Sequence, residues 1–440
     1  MTTSAYDGLG RLISETLPGE TSGLTTATWT YVVTCGGAGS GPQTPCVRVD
    51  QTQRVNASTT VAAHAFYNGY GQLAESRTQA PGGQDVVRYV VYDSSGREIQ
   101  ASNPYFVAAW DGVTGFGYSL DDVNQSRAIL SYDGLGRTLS SADPLGNATT
   151  TSYGVNCAVT SGDSSCYAAT SVTDANAHQC QSFSDAYGRT TYTRDLSGNG
   201  GTGSPPIPYA TYRTISATYD YAGNETAITQ PDGSATSFTY DDAGRQLAMT
   251  DPDRGHETYA YDANSNVIQA TDARNVSVYA GYDGLNRQLW RNTSNSPTGA
   301  YVSYGYDQSG HGASIGRLTS ESFASPTDPS LTGSYSYSYD ARGQITNSAT
   351  TLLGTSYPTA TTYDDAGEPL TLTYPDGAVA TTSYDQGWLA GISWTQNSVT
   401  TPLLAAVSYT GASGAFGAIT SAQVGQSGGA ALISHRHPTR

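Results

Sequence analysis

Short stretches of alternating apolar and polar residues run along most of the chain, each broken by a cluster of turn-forming residues. Phe238-Thr239-Tyr240, Tyr259-Ala260-Tyr261 and the run Tyr335, Tyr337, Tyr339 put aromatics at every second position, the period of a strand with one apolar face. A turn hexapeptide begins at the last tyrosine. It reads YDGLGR at Tyr6, Asp7, Gly10, Arg11 and again at Tyr132, Asp133, Gly136, Arg137, and YDSSGR at Tyr92, Asp93, Gly96, Arg97. It recurs as YDDAGR at Tyr240, Asp241, Gly244, Arg245 and as YDGLNR at Tyr282, Asp283, Arg287. Weaker copies start at Tyr67, Tyr219, Tyr261, Tyr339, Tyr363 and Tyr384, and SDAYGR at Ser184–Arg189 lacks only the first tyrosine.

The spacing marks an internal repeat. Tyr219, Tyr240, Tyr261 and Tyr282 follow one another at 21 residues, as do Tyr363 and Tyr384. In each copy the Asp is placed to cap the turn, the Gly to supply positive φ, and Arg245 and Leu247 to open the return strand. A second turn follows about ten residues later, as in Pro231-Asp232-Gly233, Asp251-Pro252-Asp253 and Pro375-Asp376-Gly377. Two strands and two turns in 21 residues leave no room for a helix of ordinary length. The expected fold is all-β: a repetitive antiparallel hairpin array forming a long coiled sheet. The array is assigned to residues 1–400, with loop insertions near 33–46, 154–182, 196–212 and 290–334, followed by a weakly patterned Gly/Ala/Ser-rich tail, 401–440.

Composition narrows the chemistry. All 20 basic residues are Arg, which removes lysine-dependent phosphate loops, Schiff-base enzymes and protein kinases. A net charge of -17 opposes binding to phosphate backbones, so no nucleic-acid partner is expected. No apolar stretch is long enough for a membrane span, and residues 1–20 lack the basic start and apolar run of a signal peptide. The six histidines, among them His64, His178, His256 and His311, lack zinc-ligand spacing, so no metal or cofactor is expected. Of the carboxylate pairs Asp121-Asp122, Asp241-Asp242 and Asp364-Asp365, two fall in repeat turns where Asp has a structural use, and no nucleophile elbow occurs. No catalytic residue is assigned. Cys35 and Cys46, and Cys157 and Cys166, each bracket a Gly/Ser-rich loop that a disulfide would close in an oxidising compartment, leaving Cys180 over; buried free thiols are the alternative.

The YDxxGR signature, its spacing and the PDG-like second turn resemble the RHS (rearrangement hot spot), or YD-repeat, family, from Tyr6 to about Trp394. The resemblance implies a sheet spiralling into a hollow shell. In bacterial members and in the C components of insecticidal toxin complexes this shell encloses a variable C-terminal toxin; animal teneurins use a similar shell as an extracellular adhesion scaffold. Toxin-bearing members also carry a DPxGL-type autoproteolytic motif. The nearest string here, Asp143-Pro144-Leu145-Gly146, continues into Asn147 at a second-turn position and reads as a turn. The expectation is a non-enzymatic piece of a secreted or cell-surface shell, with a toxin domain and secretion or toxin-complex components as partners. The alternative is an adhesin binding carbohydrate through exposed aromatics, or another cell.

Overall fold

The computed structural model describes residues 2–19, 24–33, 45–56, 58–110, 125–157, 165–198, 207–325, 327–328, 330–409, 419–425 and 431–432. Among them are 34 β-strands and no helix. The chain forms two compact units, one of residues 1–129, 305–320 and 333–440, the other of residues 130–304 and 321–332.

The second unit shows the repeat in its plainest form. Ala235–Tyr240 pairs antiparallel with Gln246–Asp251, which pairs with Gly255–Tyr261, which pairs with Val267–Thr271. Each strand bonds the next in sequence, so the meander follows from short turns alone. At the signature tyrosine the register slips by one residue: Thr239 faces Ala248, but Tyr240 faces Gln246. The same slip occurs at Tyr6, Tyr92, Tyr261 and Tyr282. Such a bulge increases local twist, and repeating it at each copy coils the strip in one sense. Among the described residues of this unit Phe183 and Met249 are the only buried apolar ones, so the sheet they belong to is largely one layer thick.

The first unit has a modest core. Gln84–Tyr92 is shared: Gln84 to Val87 pair with Tyr105–Ala108, while Val90 to Tyr92 pair with Glu98–Ser102. Val87, Tyr89 and Tyr105 are buried beneath this fork, the two tyrosine rings meeting edge-on at 6.4 Å. Elsewhere in the unit two distant stretches of the array meet at their turns. Asp365 N donates to Val55 O at 2.9 Å, and Arg342 Nε donates to Pro18 O at 3.4 Å.

Three segments differ from the sequence expectation, and one of them, the stretch near 290–334 read as a loop insertion, carries the strands Val302–Tyr306 and Leu318–Ala324. The described residues of the stretch near 154–182, read as a loop insertion, are mostly strand, with Ala148–Cys157, Cys166–Thr173 and Gln179–Ser184 paired in order. Beyond residue 400, read as tail, Val399–Tyr409 and Ile419–Val424 extend the sheet. A single-layer sheet needs no apolar face, so strands rich in Thr, Ser and Ala carry little period-2 hydrophobic signal.

Candidate functional site

The signature residues form an inter-repeat clamp. In the turn after Tyr240, Asp241 Oδ1 accepts the backbone N–H groups of Ala243 (3.0 Å) and Arg245 (2.9 Å), while Oδ2 accepts Arg245 Nε at 2.7 Å. Gly244 N closes the turn onto Asp241 O at 2.9 Å with φ +77°, a conformation that favours glycine. Asp7–Arg11, Asp93–Arg97, Asp133–Arg137 and Asp283–Arg287 repeat the carboxylate–guanidinium contact at 2.7 Å. Gly10, Gly96 and Gly136 repeat the positive φ, and Asn286 supplies it where glycine is missing. The N–H donors hold these carboxyls below their ordinary range; at Asp241 the Arg245 backbone N–H is the largest cause.

Contacts to the next repeat complete the clamp. Arg245 Nη1 donates to Asp262 O at 3.0 Å, and its guanidinium lies 5.0 Å from the centroid of the Tyr261 ring. Tyr261 Oη in turn donates back to Gln246 O at 2.7 Å. Tyr240 and Tyr282 reach back in the same way to Glu225 O and Val267 O, each 15 residues upstream, and Tyr92 reaches Leu73 O. Burial raises the phenol pKa at Tyr92, Tyr240 and Tyr282. Arg11 over Tyr31 and Arg137 over Tyr153 repeat the stacking at 4.4 and 4.1 Å. Tyr6 ends its strand 60 % exposed, and Tyr132 ends Arg127–Tyr132 ahead of its turn.

These geometries give Tyr and Arg of the signature a specific use. Phe lacks the hydroxyl that grips the upstream carbonyl. Lys lacks the planar fork that serves Asp241, Asp262 and the Tyr261 face together. The hydroxyls of Tyr92, Tyr240, Tyr261 and Tyr282 are thus engaged within the sheet.

Cys157 and Cys166 face each other across Ala148–Cys157 and Cys166–Thr173 and form a disulfide, while Cys180 is a free, exposed thiol. Cys46 is buried, and Cys35 lies outside the described residues. Asp143-Pro144-Leu145-Gly146 is a turn, with Asn147 Nδ2 donating to Asp143 Oδ2 at 2.8 Å. Asp241 and Asp364 are spent on turns and Asp365 faces Arg54 at 3.5 Å; Asp121-Asp122 lies outside the described residues. Among the described residues no group of His, Cys, Asp or Glu is placed to hold a metal ion.

One polar cluster escaped sequence reading. Asp50 Oδ1 lies 2.7 Å from both Arg48 Nε and His64 Nδ1, and Trp110 packs edge-on to His64 at 5.0 Å with Arg48 over its ring at 4.3 Å. Beside it Arg77 and Asp85, each 7 % exposed, pair at 2.8 Å; Asp85 Oδ2 also accepts Trp110 N, and Arg77 Nη2 donates to Ala108 O. The group fastens the segment Tyr105–Trp110 onto the sheet. Cross-strand register assembles it, since Asp50 faces His64 and His64 faces Arg77, and no local motif announces it.

The family model of the RHS repeat matches residues 219–256, the same stretch in which the clamp is most regular. The chain carries the RHS, or YD, repeat. Solved structures agree on the fold. The RHS array is similar to a crystal structure of TcdB2-TccC3 with a TM-score of 0.73 and 15% identity, covering 96% of this chain and 24% of that one. It is also similar to the Tc holotoxin pore of Photorhabdus luminescens, with a TM-score of 0.75 and 14% identity, covering 96% and 26%. The chain thus spans about a quarter of the length of these structures. No curated protein matches its sequence significantly.

Proposed function

We propose that this RHS array is a non-enzymatic scaffold, a section of β-shell wall that encloses a toxin domain until delivery. The observation that carries the reading is the recurring clamp in a sheet whose described residues bury few apolar side chains, built on the fold of the Tc complexes. Such a ladder makes wall without needing a second layer behind it. Its partners are then a toxin domain and components of a toxin complex, and its place is outside the producing cell. Clamp side chains engaged with one another, and carboxylates committed to turns, are consistent with structural use.

Electron microscopy of this chain, expressed together with the coding sequence that adjoins it, tests the reading. A closed shell holding a protease-protected segment is expected. A compact particle without a cavity would overturn it.

A further inference from the structure

Three signature turns carry a tyrosine at the tip, their third or fourth residue: Tyr70, Tyr187 and Tyr221. The clamp does not call for it, since Gly134-Leu135, Asp242-Ala243 and Ala263-Asn264 fill the same two positions in turns of the same geometry. Tyr187 and Tyr221 stand in neighbouring turns. The turn of Tyr187 joins Gln179–Ser184 to Thr190–Ser197, the turn of Tyr221 joins Ala210–Tyr219 to Glu225–Thr229, and the two inner strands pair. Arg189 Nη1 donates to Asp220 O at 3.0 Å and ties the turns together. Tyr70 instead shares its cleft with Ser94 and Ser95 of the turn beside it.

Tyr187 is 85 % exposed and Tyr221 wholly so. They line a cleft of about 590 Å³ together with Arg189, Tyr219, Asp220 and Ala222. The charges of this cleft are committed. Arg189 serves Asp185 Oδ2 through Nε at 2.8 Å and Nη2 at 2.7 Å, and the Asp220 carboxylate accepts Asn224 N at 2.8 Å and Asn224 Nδ2 at 2.9 Å. The guanidinium lies 5.0 Å from the centroids of both Tyr187 and Tyr219, and Tyr219 Oη donates to Thr190 O at 2.8 Å. The hydroxyls of Tyr187 and Tyr221 make no hydrogen bond among the described residues. The cleft therefore offers two ring faces and two uncommitted phenols, with no unpaired charge.

We propose that this cleft binds a neutral pyranose, its ring held between Tyr187 and Tyr221. Turns two strands apart stand about 9.6 Å from one another. A six-membered ring between two aromatic faces makes a carbon contact of 3.5–4.0 Å on each side and so needs about 7–8 Å, which that spacing admits. The C–H groups of the sugar lie on the ring faces and its hydroxyls pair with the phenol O–H groups. An ionic ligand would find no uncommitted charge here, and an alkyl chain no aliphatic side chain larger than Ala222. The site stands on the turns themselves and acts whether or not the sheet encloses a toxin.

Saturation-transfer NMR of the full chain with the methyl glycosides of glucose, galactose, mannose and N-acetylglucosamine is the test, with a proline-rich peptide as the competing class of ligand. Transfer to at least one glycoside is expected, with a Kd of about 1–10 mM, ordinary for so small a ligand. Tyr221→Ser removes a side chain that touches no neighbour and should weaken binding about 10-fold, as should Tyr187→Ser, while Tyr70→Ser leaves it unchanged. Tyr221→Trp enlarges one wall and should tighten binding about 2–3-fold, a gain that a misfolded chain cannot give. No transfer to any glycoside, binding of the peptide alone, or undiminished binding by Tyr187→Ser/Tyr221→Ser would each overturn the proposal.

Discussion

Replacing Arg245 with lysine isolates what the guanidinium contributes. Arg245 keeps three contacts at once: the fork on Asp241, the Nη1 bond to Asp262 O at 3.0 Å, and the face of Tyr261 at 5.0 Å. A lysine retains its charge near Asp241, and in so solvent-screened a pair the charge itself contributes little. It cannot hold Asp241 and reach Asp262 O together, a loss of about 1 kcal/mol, and it stacks poorly on Tyr261, a further loss of about 0.5–1 kcal/mol. The expected cost is about 1.5–2 kcal/mol, confined to this repeat and its neighbour because each repeat contacts only the adjoining ones. Global melting would blur so local a loss. Hydrogen exchange resolves it: amides in Gln246–Asp251 and Gly255–Tyr261 should exchange roughly 10–30 times faster, with those of Leu12–Thr16 unchanged. The double variant Arg245→Lys/Tyr261→Leu should show coupling of about 0.5–1 kcal/mol. Unchanged exchange in Arg245→Lys would refute the account of why arginine fills the signature.

Reducing Cys157–Cys166, whose sequence separation is 9, should destabilise the hairpin it closes by about 2.5–3 kcal/mol, seen as faster exchange in Ala148–Cys157 with Gly255–Tyr261 unaffected. Asp85→Ala should cost about 3 kcal/mol or more in urea unfolding by removing the carboxylate that pairs with the buried Arg77, and Arg77→Met/Asp85→Leu should regain most of it; equal loss in both variants would argue against the pair. The signature carboxyls at Asp7, Asp93, Asp133, Asp241 and Asp283 lie below 3.8 when folded. Their contribution is therefore complete above that value and is lost as pH falls through the lower folded one. The phenols of Tyr92, Tyr240 and Tyr282 lie above 10.0, so theirs is complete below that value and is lost as pH rises through the higher folded one. Circular dichroism across pH should show a plateau between, and unfolding that starts near pH 6 would contradict the assignment to carboxyls.

The turns were legible because their chemistry is obligatory. A reversal needing positive φ at Gly244 and a carboxylate at Asp241 leaves the same letters in each copy. The clamp was only half legible: the recurrence of Tyr and Arg was plain, but not that they meet across repeats, because Tyr261 finds a backbone carbonyl and a carbonyl has no letter. The strands near 154–182 and beyond 400 carried no apolar alternation, since a thin sheet does not demand it. The Arg48, Asp50, His64 and Trp110 cluster was invisible because register, set by turn lengths, brings together residues far apart in the chain.

Gripping a carbonyl also governs how such a chain can drift and recombine. Tyr240, Tyr261, Tyr282 and Tyr384 each close on the main chain 15 residues upstream, whether the residue there is Glu225, Gln246, Val267 or Pro369. A joint indifferent to the letter it grips lets any copy be deleted, duplicated or exchanged for another without a compensating change in its neighbour. The same indifference lets most other positions wander.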